Sequence, residues 1–398
     1  MATLIRIEGP QLGPAPVKAS WDAFFSMAFR PFYLLAAMQG VVAILAWGLG
    51  YGGTRALPSF LWHGHEMIWG YAGAVIVGFV LTAAATWTGQ PPLRGAPLTG
   101  LAALWLAARG ALLAWPDSNL PGGMLSALVF AWAALALAVP VVRSRNVRNY
   151  GVPPLLLAFG LADLGFNLAT AGLIDLDPRH MLHVGLLLVA TVIFFMGMRV
   201  IAFFTSRSLK VPQVANPRSI VALAIGAPLL MAAMVAGRGP AVWICLLGLV
   251  GALVNLRQLL RWWHPQVLHQ PLLWVLFAGF LCTGLGVGLY GIAALAAPAL
   301  SGAALHCIAV GGIGLLTLGM MTRTALGHTG RLLTLPAPMG AAFGCLVAAT
   351  ILRIAAALAL PLANVALVAS ALCFAAGLGL FAWRFGPWLL RPRADGRP

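Results

Sequence analysis

Runs of about twenty apolar residues, separated by short charged or proline- and glycine-bearing breaks, recur from end to end of this chain and leave it one class of fold. Inside a bilayer each backbone amide must find its partner within its own segment, so such runs become helices. Twelve spans are expected, at 30–51, 61–86, 97–115, 121–142, 152–174, 181–204, 218–237, 240–261, 271–296, 302–324, 338–360 and 363–386. The reading is all-α: a polytopic transmembrane helical bundle. It comprises an N-terminal segment 1–29, a single membrane domain 30–386 and a C-terminal tail 387–398. The loops between spans are too short for a separate soluble domain. Residues 1–28 carry Pro10, Pro14, Pro16 and charges but no apolar stretch, so the first span is expected to target the chain without a cleavable leader.

With 61% hydrophobic and only 8% charged residues, the composition excludes a soluble domain, in which about a quarter of residues are charged. A net charge of +16 would suggest nucleic acid in a soluble protein. Here the arginines sit in short loops, so the charge is a topology signal and a match for anionic headgroups. The bilayer is the expected partner and nucleic acid is not. Arg6, Lys18 and Arg30 lie at the N-terminal end, up to the first residue of the first span, and Arg384, Arg391, Arg393 and Arg397 lie at the C-terminal end. Arg143, Arg145, Arg148, Arg207, Lys210 and Arg218 fall in loops of the same parity. The opposite loops hold Arg55, Arg179 and Arg238 with Asp117, Asp175 and Asp177. Both termini are therefore expected in the cytoplasm, with the chain in a bacterial inner membrane and its other face in the periplasm.

That topology sorts the histidines. Trp62-His63-Gly64-His65-Glu66-Met67 opens the second span at its periplasmic end. His180 and His183, three residues apart on one helix face, open the sixth, and His306 lies in the first turns of the tenth. Five imidazoles from three spans thus fall at one membrane depth, where ionisable groups are costly and mark functional sites. Gly64 can start the run as an irregular turn, letting His63 and His65 face one pocket. Imidazoles with few thiolates suit copper, zinc or haem iron. The cysteines Cys245, Cys282, Cys307, Cys345 and Cys373 have no CxxC spacing and read as small core residues, Cys307 drawing attention only because it follows His306.

Haem propionates need cations, and Arg109 in the third span and Arg353 in the eleventh lie in the outer third of their helices. Snorkelling to the interface explains them equally well. Asp163 in the fifth span, one turn from Asn167, fits a proton route or an interhelical hydrogen bond. Glycine runs at Gly284–Gly291 and Gly311–Gly314 read as close helix packing. Gly327-His328-Thr329-Gly330-Arg331 either binds an anion or ends the tenth span.

The run from Trp62 to Met67, with Gly78-Phe79, Leu81-Thr82-Ala83 and Trp87-Thr88-Gly89, resembles the NnrS family. So do Arg199-Val200-Ile201-Ala202-Phe203-Phe204-Thr205 and Met320-Met321-Thr322-Arg323 leading to His328 and Arg331. The blocks reach from the second helix to the tenth, and length and span count extend the likeness over nearly the whole chain. The resemblance implies a bacterial polytopic membrane protein containing haem and copper, linked to nitric oxide metabolism, nitrosative stress and denitrification. It leaves catalytic turnover and any redox partner undefined. The layout is also distantly similar to haem-copper oxidase catalytic subunits, whose metal-binding histidines come from the second, sixth, seventh and tenth helices. This chain departs at the seventh span, which has no histidine, and at the tenth, which has one where that family has two.

The reading that follows is a haem- and copper-binding membrane protein that binds or processes nitric oxide at a periplasmic-side histidine site, or protects metal centres from it. His65 is the first choice as haem ligand, and His63, His180, His183 and His306 compete for copper. Glu66, Asp163, Arg199, Arg323 and His328 are accessory candidates. The rival classes are a secondary transporter of a metal or small solute and a non-catalytic assembly or sensory partner of a nitric oxide reductase.

Overall fold

The structure is a computed structural model that describes residues 18–396. Arg6 and Arg397, and most of the segment 1–29 on which the expectation of no cleavable leader rests, lie outside the described residues. Twelve helices are long and apolar enough to cross a membrane. They are α1 (Phe29–Gly48), α2 (Ser59–Thr88), α3 (Ala96–Ala114), α4 (Leu120–Arg143), α5 (Val147–Thr170) and α6 (Pro178–Leu209). The second half holds α7 (Arg218–Ala236), α8 (Ala241–Trp262), α9 (Pro271–Leu295), α10 (Pro298–His328), α11 (Ala337–Ala357) and α12 (Ala363–Leu389). Among the described residues the only β-type pairing is one isolated bridge, Gly53 to Pro58.

Local chemistry sets the helix ends. Pro178 starts α6 behind Asp177, whose carboxylate accepts from the Arg179 amide at 2.8 Å. Gly89 ends α2 with a φ of 66°, a conformation that disfavours any side chain. The spans at α2, α6 and α10 exceed their apolar windows at both ends, since residues such as Thr88, Arg207 and His328 continue the helix beyond the apolar run that a hydropathy window detects. The predicted tail from 387 likewise begins inside a helix, α12 continuing to Leu389.

α2, α6, α9 and α10 are the most buried helices and form the centre, with the others arranged around them. Two of the four central helices are not regular throughout. Glu66–Ala72 in α2 and Cys307–Gly314 in α10 are π-helical, each amide reaching one residue further back than in an α-helix. Such wide turns are rare and concentrate at functional sites. Small residues let the helices approach closely. A Cβ on Gly185 of α6 would stand 2.6 Å from the Trp69 ring, and one on Gly291 of α9 would stand 3.1 Å from the Cys245 Cα. The glycine runs therefore serve packing, as their apolar setting predicts.

Contacts between loops bear out the sorting into two faces. Arg55, after α1, pairs with Asp117, after α3, and Arg238, after α7, donates to the Asp175 carbonyl, after α5, at 2.8 Å. On the other face, Arg30 donates to the Leu389 and Arg391 carbonyls at 2.8 and 2.6 Å, joining the start of α1 to the end of α12. Arg393 reaches the His328 carbonyl there at 3.3 Å.

A candidate histidine cavity beside a closed ion network

An apolar cavity of about 460 Å³ lies between α1, α2, α6, α10, α11 and α12. His63, His183 and His306 line it together with Arg179 and Arg353, while hydrocarbon and aromatic side chains such as Leu186, Val310 and Phe374 form the walls. Of the five histidines expected at one depth, spans two, six and ten each bring one to this cavity, and His65 and His180 are not among its lining residues.

Each imidazole is held differently. His306 Nδ1 lies 2.7 Å from the Gly302 carbonyl one turn back. A carbonyl only accepts, so Nδ1 carries the hydrogen and Nε2 keeps its lone pair, the arrangement a metal-ligating histidine uses. His183 Nδ1 meets the Tyr290 hydroxyl of α9 at 2.9 Å. The His63 ring stacks on Trp47 with centroids 4.1 Å apart, and its buried Nδ1 has no partner among the described residues. Arg353 projects into the same apolar space and makes no ion pair among the described residues. Arg179 stands at the exposed rim, 5.0 Å above the Phe60 ring.

His65 is elsewhere. Residues 59–65 form a regular helix, so two positions two residues apart point about 200° from each other. Gly64 makes no irregular turn. It lets α2 close on α6, since a Cβ there would lie 2.9 Å from Leu182. His63 faces the cavity, and His65 faces α5 with no exposed surface. Its Nδ1 lies 2.9 Å from Glu66 Oε1 and its Nε2 lies 2.9 Å from Asp163 Oδ1. Both ring nitrogens are consumed, which corrects the expectation that His65 is the foremost haem ligand.

Glu66 and Arg109 belong to the same network. Arg109 donates to Glu66 Oε1 at 2.7 Å and to Ser126 at 2.8 Å, so it is committed inside the protein and not available to a cavity ligand. Gln39 donates to the other Glu66 oxygen at 2.5 Å. Asn167 donates to Asp163 Oδ1 at 3.0 Å and accepts from Asn119 at 2.9 Å. Of the two readings of Asp163, the interhelical hydrogen bond is the one realised. The two histidine–carboxylate contacts each require one hydrogen. His65, Glu66 and Asp163 therefore share two protons and carry a net charge of −1, which Arg109 cancels.

His180 does not line the main cavity. It shares with His183, Tyr290 and Arg238 a second recess of about 450 Å³ at the side of the bundle. Among the described residues no three His, Cys, Asp or Glu side chains are grouped so as to hold one metal ion. The five-histidine set thus separates into a cavity trio, a side residue and a buried network member. Cys307 donates to the Cys282 carbonyl at 3.2 Å and all five cysteines are free, in keeping with core roles.

The accessory candidates of the arginine-rich blocks lie towards the opposite face. Arg199 donates to Asn149 at 2.5 Å and lies 4.0 Å over the Phe195 ring. Arg323 lies 3.8 Å over the Phe204 ring. The His328 ring stands 5.5 Å from that of Phe29 and ends α10, with Gly330 following at a φ of 73°. These residues brace helix ends and take no part in the cavity. Sequence reading missed Trp47, Tyr290 and Arg179 as members of the site. Arg179 adjoins His180 in the chain, but Trp47 and Tyr290 carry no local signal, being ordinary aromatics of apolar spans.

Fold and site together define a polytopic α-helical membrane protein in which helices α1, α2, α6, α10, α11 and α12 line a cavity bearing histidines and arginines, next to an ion network. The chain matches the family described as NnrS protein over residues 23–393, nearly its whole length, and belongs to that family. Comparison with curated proteins gives no match.

Proposed function

We propose that this protein binds haem in the cavity between α2, α6 and α10 and uses it in the nitric oxide response to which its family name is linked, at the periplasmic side of a bacterial inner membrane. The observation that carries the reading is the lining: three imidazoles from three helices and two guanidiniums around one apolar space. Its volume falls in the range of cofactor sites, about 300–1,000 Å³. Arg353, which makes no ion pair among the described residues, and the partnerless His63 Nδ1 are polar groups beside this space that a ligand would engage.

The residues fit the group. His306 is the best prepared iron ligand, because the Gly302 carbonyl fixes its tautomer. Arg353 and Arg179 would take the propionates. Haem supplies an iron that binds nitric oxide when ferrous. His63 and His183 are the remaining cavity imidazoles, and copper would draw on those two nitrogens, too few on the protein side for a closed site. The chain's own part is to hold and to exclude. Trp47 fixes the His63 plane, Tyr290 orients His183, and the apolar walls keep water from the ligand face.

Absorption spectra and iron and copper analysis of purified wild type, His306→Ala and His65→Phe test this. The expected result is a Soret band shifted by nitric oxide, lost in His306→Ala. Protein that carries neither metal overturns the reading, and colourless protein that moves copper into liposomes replaces it with transport.

A further inference from the structure

A second, smaller chamber of about 80 Å³ adjoins the histidine cavity. It lies between α1, α2, α6, α9 and α10, among Ala72, Val75, Val189, Ile201, Leu276 and Leu316. Ile313 lines both spaces. Tyr71 lines the first and Thr317 the second, and their hydroxyls meet at 2.5 Å. The partition is thus one isoleucine and one hydroxyl bridge between α2 and α10. It stands where the two π-helical segments end, Ala72 closing one and Ile313 lying in the last turn of the other.

The chemistry of the walls selects the occupant. A buried water needs two to four polar partners, and dry cavities lined by Leu, Ile and Phe take up apolar guests. The chamber offers almost none. Thr317 Oγ1 is engaged by Tyr71 and donates to the Ile313 carbonyl at 2.7 Å, and the Tyr33 hydroxyl is buried without a hydrogen-bond partner among the described residues. At about 80 Å³ the space holds a few water-sized molecules and no haem, and the partly exposed Phe79, Val192 and Ile193 are among its lining residues.

We infer that this chamber is a binding site for small uncharged gas molecules, feeding the histidine cavity past Ile313. The identity of the gas as nitric oxide rests on the function proposed above; the site itself does not. Crystals of the full chain pressurised with xenon provide the first test. A xenon peak among Ala72, Val189 and Leu316 is expected, and it should vanish in Val189→Phe. Ordered water at hydrogen-bond distance there, or xenon bound elsewhere but not there, overturns the site. The second test is nitric oxide association with the reduced wild type and Ile313→Phe by flash photolysis. A fall of tenfold or more in association rate, with an unchanged Soret maximum, is expected. An unchanged rate overturns the feeding role. If the protein holds no haem, the proposed function fails while the xenon result still decides the gas site.

Discussion

His63 and His65 are two residues apart on one helix and live under opposite physical regimes. His63 stacks on Trp47 at the edge of a cavity and has a buried ring nitrogen with nothing to bond. His65 has both nitrogens bonded and its charge balanced by neighbours within the same network. The partnerless nitrogen of His63 borders a cavity, whereas the bonds of His65 and its neighbours tie together α2, α3 and α5. The difference teaches that an ionisable group within a span is a functional signal only until its partners are counted.

The comparison breaks most readily at the closed side. His65→Phe leaves two carboxylates buried without their hydrogens, and removing one member of a buried ionic set costs about 3–5 kcal/mol. A marked fall in the thermal unfolding midpoint in detergent is expected. His63→Phe keeps the ring on Trp47 and removes an unsatisfied nitrogen, so its midpoint should equal or exceed that of wild type while cofactor content falls. Equal melting of the two variants would erase the distinction drawn between them.

On the open side, Tyr290→Phe removes the hydroxyl that orients His183. Loss of such an outer partner lowers metal affinity by about 10–100-fold, to be read by copper titration. Arg353→Leu removes a charge-assisted contact, each of which contributes about 1.5–3 kcal/mol. Haem retention during gel filtration should fall by roughly tenfold or more, with little change in the unfolding midpoint. A drop in the midpoint as large as that of His65→Phe would make Arg353 structural.

The smallest effect belongs to the surface. The Arg55 hydrogen bond and charge hold the Asp117 carboxyl below its ordinary value of 3.8. A depressed carboxylate contributes stability that is present above that value and lost as pH falls through the lower folded one. Both groups are fully exposed, so the contribution is small. Asp117→Asn should leave the midpoint near neutral pH almost unchanged, and wild type and variant should converge in acid below 3.8.

Much of the site was legible in the chain. Parity of the spans put His63, His65, His180, His183 and His306 on one level, three of which line the cavity, and charge asymmetry put the loops of Arg55 and Asp117 on one side. Helix geometry also spoke against His63 and His65 sharing a pocket, but Gly64 suggested a turn; in the folded protein that glycine serves close packing against Leu182. Arg109 and Arg353 looked alike, as arginines in the outer thirds of their helices. Only their neighbours differ, Glu66 for one and an apolar cavity for the other.

What the sequence determined by itself is what hydrophobicity and charge dictate locally: helices, their number, their alternation and the depth of each polar group. These follow from backbone hydrogen bonding and solvation, which act residue by residue. The tertiary structure decided which polar groups satisfy one another. Whether an imidazole meets a carboxylate or an empty space depends on rotations of helices about their axes, on π-turns in α2 and α10, and on approaches set by glycines distant in the chain. Those are properties of packing, and they make His63 a candidate ligand and His65 a strut.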